Sequence, residues 1–230
     1  MGQNRQHALM SSGVAALLAL AVLFAFAARG EEQASGTDPA PGEVIFVPPD
    51  AGAPADRVGA GTRDLARERG PLVLLAPEGG GLTRSAQPAL VWYLSENFNG
   101  AVQAQIVPVT GGGTGVARIS EGPLRAGYYA LDLARSQMVL EPGQIYEWKV
   151  LLLTGPDGDV IADARTYVER QPGELQTGDD PAALAAAGLW FDAVGALARI
   201  GLSGRVRIEP GPGFAALVSS AGIPGLPETE

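Results

Sequence analysis

The residues able to do chemistry are few, and nearly all are oxygen donors. Cysteine is absent from the 230 residues, and the single histidine, His7, stands near the amino end. Past that point the chain has no thiolate nucleophile and no imidazole for general base or metal-ligand duty. Carboxylate chemistry remains. Two carboxylates converging across a cleft, one with a raised pKa, would suit glycoside hydrolysis. The strand-borne candidates are Glu96, Asp132, Glu147, Asp163 and Glu169. They fall at strand ends or on outward faces, which argues against convergence. Lys149, the only lysine, could activate a serine such as Ser85 or Ser95, but on a strand it is more simply a solvated or cross-strand paired cation.

Other candidate motifs are weaker. Asp157, Asp159 and Asp163 in "GPDGDVIAD" lack the full ligand spacing of a calcium loop and read as a hairpin turn. "GGGTG" at 111–115 opens no helix and carries no Gly-Lys-Ser/Thr, so it is a hairpin tip and not a phosphate cradle. Arg63, Arg67 and Arg69 alternate with Asp64 and Glu68 as a solvated, self-paired charge run. The formal charge of −9 argues against nucleic acid, whose phosphates call for clustered cations. No metal site and no cofactor is expected.

The amino end sets location. Ala8 to Ala28 is a 21-residue uncharged stretch preceded by Arg5, a hydrophobic leader helix that must meet a membrane. Residues 1–30 are either a signal peptide, cut after Ala25-Phe26-Ala27, or an uncleaved single-pass anchor, with cleavage slightly favoured. In both cases the body is exported, to the periplasm or the outer face of the cytoplasmic membrane. Residues 31–57, rich in Pro, Gly and Ala, form an extended linker. An apolar island at Val44–Val47 interrupts it and is expected to dock on the body or add an edge strand.

The elements that would position any site begin near residue 58. Residues 58–172 alternate in polarity between Gly and Pro punctuation, which predicts a mainly β, immunoglobulin- or fibronectin-like antiparallel sandwich. In "PALVWYLSE" (88–96) Leu90, Trp92 and Leu94 share one face and Val91 and Tyr93 the other, so the adjacent aromatics cannot form one platform. In 126–134 Tyr129, Leu131 and Leu133 face one side and Tyr128 the other. In 144–154 Tyr146, Trp148, Val150 and Leu152 point inward. In 159–170 Val160, Ala162, Ala164 and Val168 oppose Asp159, Asp163, Arg165, Tyr167 and Glu169. Asn99-Gly100 and Asp157-Gly158 are hairpin turn signals, the first pairing strand 88–96 with strand 101–110. Six strands are expected, or seven with Val44–Val47 or a segment near Val116.

Residues 173–230 form a helical cap with a frayed tail. A helix over 179–200 opens with Asp179-Asp180 as cap and Pro181 at a first helical position, carries Ala187, Trp190, Phe191, Val194 and Leu197 as one stripe, and closes at Gly201. Gly188 and Gly195 allow close approach to another element. A second short helix falls within 212–223.

"GLTRSAQPALVWYLSE", "LEPGQIYEWKVLL" and "DPAALAAAGLWFDAVGALARI", in this order, resemble the exported bacterial family described as domain of unknown function 928. The resemblance runs from about Gly59 to Ile223. It implies a proline-aromatic strand, a Tyr-x-Trp strand and a Gly-Leu-Trp-Phe-Asp helix, here Pro88, Trp92, Tyr93, Tyr146, Trp148, Gly188, Trp190, Phe191 and Asp192, mostly structural positions. It brings no activity, and a chain without cysteine inherits no disulfide from it.

The function expected from these features is a non-catalytic envelope module that binds or scaffolds another exported or membrane protein. Tyr93, Tyr128 and Tyr167 are the candidate contact residues. The alternatives are a carboxylate-dependent envelope hydrolase and a carbohydrate-binding module.

Overall fold

A computed structural model describes residues 44–50, 52–55, 70–113, 115–175, 180–200, 207–210 and 213–227. The leader, most of the linker and the arginine run lie outside the described residues. Eight strands form the body: β1 (Leu72–Leu74), β2 (Gly81–Thr83), β3 (Ala89–Leu94), β4 (Phe98–Pro108), β5 (Gly115–Leu124), β6 (Gly127–Asp132), β7 (Ile145–Leu153) and β8 (Val160–Arg170). Helices α1 (Pro181–Ala186) and α2 (Trp190–Leu197), strands β9 (Ala198–Ile200) and β10 (Ile208–Pro210), and helix α3 (Phe214–Ser220) follow. The protein is therefore mainly β with a few short helices. Among the described residues no helix is long and apolar enough to cross a membrane.

Two sheets share one core. One has the order β1-β3-β6, the other β2-β8-β7-β4-β5, and β9 and β10 form a separate ribbon. The period-two pattern explains why these segments are strands: Leu90, Trp92 and Leu94 from one sheet and Trp148, Val150 and Leu152 from the other are at most 1% exposed and belong to a single cluster. Val91, on the opposite face of β3, is also fully buried. That face looks toward the helices, because Tyr128 beside it on β6 meets Phe214 of α3 edge-on.

Several expectations need correction. Asn99-Gly100 makes no turn. β4 runs straight through it, with Gly100 opposite Gly122, and β3 pairs with β1 and β6 instead of β4. A Cβ on Gly100 would stand 2.2 Å from the Leu153 carbonyl oxygen, so the glycine serves close strand approach. The sandwich is not wholly antiparallel either, since the three-residue β2 runs parallel to the end of β8. The segment near Val116 is a full strand, β5. Val160 is 51% exposed, not inward, because the β7–β8 register shifts beside it. Asp157-Gly158, by contrast, does lie in the β7–β8 hairpin, closed by Thr154 N–H to Asp159 O at 3.0 Å.

The single helix over 179–200 is two. α1 ends at Ala187, Gly188 turns the chain at φ 73°, and α2 begins at Trp190. Only glycine adopts that φ cheaply, and a Cβ there would sit 3.2 Å from the Val47 carbonyl oxygen. Ala187 consequently leaves the apolar stripe and is exposed. The helical run stops at Leu197, not Gly201, and continues as β9.

The apolar island docks. Val44 and Phe46 are buried, Val47 N–H donates to Ala185 O at 3.1 Å, and Phe46 N–H donates to Ser220 Oγ at 2.9 Å.

Candidate functional site

The helical side meets the sandwich through the residues Gly188 to Asp192. Asp180 caps α1, its carboxylate accepting from Ala183 N–H, and Pro181 needs no N–H partner at the first turn. The turn at Gly188 then aims three consecutive side chains into the body. Trp190 is fully buried, donates its indole N–H to Leu75 O at 2.8 Å and takes the edge of Phe46 at 5.1 Å. Phe191 meets Trp148 of β7 at 6.2 Å with an interplanar angle of 76°. Asp192, 6% exposed, carries the chemistry.

The Asp192 carboxylate accepts the Thr83 hydroxyl at 2.6 Å, Arg84 N–H at 2.7 Å and Ser85 N–H at 3.4 Å. Burial pushes its pKa above the usual carboxylate value, and the hydrogen bonds from Thr83, Arg84 and Ser85 pull the other way. The group sits in the first turn of α2, where the helix dipole favours negative charge. Together these contacts bolt the β2–β3 loop to α2.

Beside this bolt lies a cleft of about 330 Å³ whose polar lining includes Ser85, Gln87, Asp132 and Asp192. Each of these groups already has a partner. Ser85 Oγ accepts from Gln87 N–H, and Gln87 Nε2 donates to Leu133 O and Met138 O. Asp132 accepts from Ala134 N–H at 3.0 Å and pairs with Arg135 at 3.4 Å. A second recess, of about 260 Å³, is lined by Ile106, Pro108, Met138, Val139, Leu140 and Tyr146, with Gly113 and Gly115. Its lining side chains are apolar apart from one hydroxyl, and Tyr146 Oη is occupied by accepting from Glu141 N–H at 2.7 Å. Val139 on its rim is 54% exposed.

The three candidate contact tyrosines do not form one surface. Tyr93 and Tyr128 stand opposite each other in the β3–β6 register, rings 4.9 Å apart, half-buried, with Phe214 5.2 Å from Tyr128. The outward face expected for this pair is thus partly closed by α3. Burial, and secondarily Tyr93, raises the Tyr128 pKa. Tyr167, half-buried, belongs to β8 of the other sheet.

The remaining family-motif positions are buried or fix the backbone. Trp92 stacks on Tyr129 at 5.8 Å. Pro88 O accepts from Leu133 N–H. Lys149 pairs with Glu147 at 3.4 Å. Glu96 is exposed, and Glu169 sits at the β7–β8 pairing opposite Ile145. Among the described residues no three acidic or histidine groups cluster to hold a metal. Thr83, the partner of Asp192, carried no sequence signal of its own beyond lying inside "GLTRSAQP".

The architecture is that of a two-sheet β-body closed on one side by short helices and the Gly188–Asp192 junction. The chain belongs to the family described as Domain of Unknown Function (DUF928), which matches residues 58–205, more than half of its length. The fn3 domain of the human collagen alpha-1(XX) chain, solved in solution, aligns with 16% sequence identity and a TM-score of 0.28, covering 50% of this chain and 94% of that one. A search of the curated proteins found no match.

Proposed function

We propose that the protein is an exported cell-envelope module that binds or scaffolds another exported protein and catalyses no reaction. One observation carries this reading. The buried acid with the raised pKa, Asp192, holds the Thr83 hydroxyl and two backbone N–H groups, whereas a catalytic acid has to present an oxygen to substrate. The 21-residue uncharged stretch at Ala8 to Ala28 supports export. The strand order supports an immunoglobulin- or fibronectin-like sandwich, as does the hydroxyl of Tyr146, near the start of β7, bonded back to Glu141 N–H. Such a fold is neutral about function.

The contact surface that fits this role is the apolar recess behind Val139, which suits an apolar side chain of the partner, while the −9 charge favours a partner with a basic surface. The test is a cross-linked pull-down of the tagged full-length protein from its own envelope, read by mass spectrometry, beside Val139→Glu. Val139 is exposed enough for the change to spare the fold. A reproducible protein partner lost in Val139→Glu is the expected result. Empty or glycan-only capture overturns the reading. The competing reading, a carboxylate-dependent hydrolase or a carbohydrate binder, rests on Asp132 and Asp192 lining one cleft, and it gains if glycan alone is captured.

A further inference from the structure

We propose that the helical side carries a docking groove for an extended peptide, closed in cis by the chain's own Val44–Pro49 segment. The partner it fits is a segment of another exported protein with two apolar residues two positions apart and proline close behind, which rests on the reading of the protein as a binding module. The cis segment shows the chemistry. It has the alternation of a strand but, among the described residues, no strand pairs with it. Val44 and Phe46 are buried, whereas Ile45 and Val47 are 37% and 48% exposed. Two hydrogen bonds tie its main chain to the helices, from Phe46 N–H to Ser220 Oγ of α3 and from Val47 N–H to Ala185 O of α1. Main-chain bonds with alternate side chains in pockets are how extended peptides are held. The family match begins at residue 58, past this segment, and takes in α1 and α2.

The walls of the groove have supports of their own. Trp190, which takes the edge of Phe46 at 5.1 Å, is fixed by its indole bond to Leu75 O. Ser220 Oγ gives its proton to Leu217 O at 2.7 Å, which leaves its lone pairs for Phe46 N–H. α3 itself rests on β6 through Phe214 and Tyr128. Glycines clear the path of the segment: a Cβ on Gly213, just before α3, would stand 3.0 Å from Val44 Cγ2, and one on Gly188 would stand 3.2 Å from Val47 O and 3.4 Å from Pro49. A groove built in this way spends little affinity on its own ordering. The segment, tied by few hydrogen bonds and exposed on one face, opens at a lower free energy than the sheet ladders do.

The probe is a fluorescent peptide with the sequence of residues 43–50, added to the full-length protein and read by anisotropy. The double variant Val44→Ser, Phe46→Ser should bind it saturably. The wild type should bind it roughly tenfold more weakly or worse, because its tethered segment competes at high effective concentration. A peptide with Ile45→Ser and Val47→Ser should bind as well as the parent, and one with Val44→Ser and Phe46→Ser should not bind. A second readout needs no variant: in the wild type the amide hydrogens of Phe46 and Val47 should exchange roughly tenfold faster, or more, than those of the β3 and β7 ladders. Equal binding to both proteins, or none to the double variant, overturns the groove. So does loss of cooperative unfolding in the double variant, since a latch has to leave the body standing. Exchange of Phe46 and Val47 no faster than the ladders also overturns it. Capture that is lost in Val139→Glu tests the other recess alone, so the two readings fail separately.

Discussion

Asp192 and Thr83 lie 109 residues apart in sequence and share a 2.6 Å hydrogen bond inside the protein. Thr83 is fully buried, and its oxygen also accepts from Ser85 N–H at 3.0 Å, so one hydroxyl joins the carboxylate of α2 to the loop leaving β2. Thr83→Val keeps the shape and removes both functions of that oxygen. It should lower unfolding stability by about 1–3 kcal/mol, the cost of leaving buried polar groups unsatisfied, as read by the denaturant midpoint at unchanged slope. An unchanged midpoint would mean that the loop is held by packing alone.

The same carboxylate predicts a pH dependence. Burial raises the folded-state pKa of Asp192 above its ordinary value of 3.8, so just above that value the folded chain holds a proton that the unfolded chain has released. Stability falls with pH wherever the native state binds more protons. The contribution from Asp192 is therefore fully present below the unfolded pKa and is lost as pH rises through the raised, folded one. Denaturant titrations from about pH 4 upward should show the wild-type midpoint declining relative to that of Asp192→Asn, which has no proton to release. Parallel curves would show that the hydrogen bonds cancel the burial effect.

Tyr93 tests whether its pair is surface or core. The half-buried ring stands 4.9 Å from Tyr128, which in turn meets Phe214 of α3. Truncation should remove folding contacts before it removes any binding contact. Tyr93→Ala should cost roughly 2 kcal/mol, about half of the ~3–5 kcal/mol lost when a fully buried aromatic is truncated. Thermal unfolding measures it. An unshifted transition would return Tyr93 to the open contact surface that its place in the alternation suggests.

The parts of this structure legible in the sequence were the local ones. Alternation exposed the inward faces of β3, β6 and β7 because Trp92, Tyr129 and Trp148 each repeat with small, aliphatic or aromatic neighbours two residues away. Asp180-Pro181 announced the start of α1 for an equally local reason, a cap and a residue with no N–H to satisfy. Strand partners were not legible, because pairing is decided by non-local burial. β3 and β4 are consecutive, yet they join different sheets. The break at Gly188 was hidden by the helix-favouring alanines before it, although its φ of 73° decides where Trp190, Phe191 and Asp192 point. The Thr83–Asp192 bond joins segments with no shared periodicity, so nothing in either stretch names the other.

Asn99-Gly100 provides the sharpest contrast between a turn signal and the strand actually formed. In a hairpin turn both residues take positive φ, and Asn is favoured because it tolerates that region. In the structure Asn99 is an exposed strand residue opposite Pro123, and neither residue has a positive φ. Asn99→Val should therefore be neutral or slightly stabilising, as expected for a β-branched residue on a strand. Gly100→Ala should be costly, on the order of 2 kcal/mol or more as for other steric insertions between packed elements, because the new methyl group would press against the Leu153 carbonyl and the Phe98 ring. The two variants, compared by denaturant unfolding, separate the alternatives by order: a strand makes Gly100→Ala the severe change and Asn99→Val the mild one, whereas a turn makes both severe.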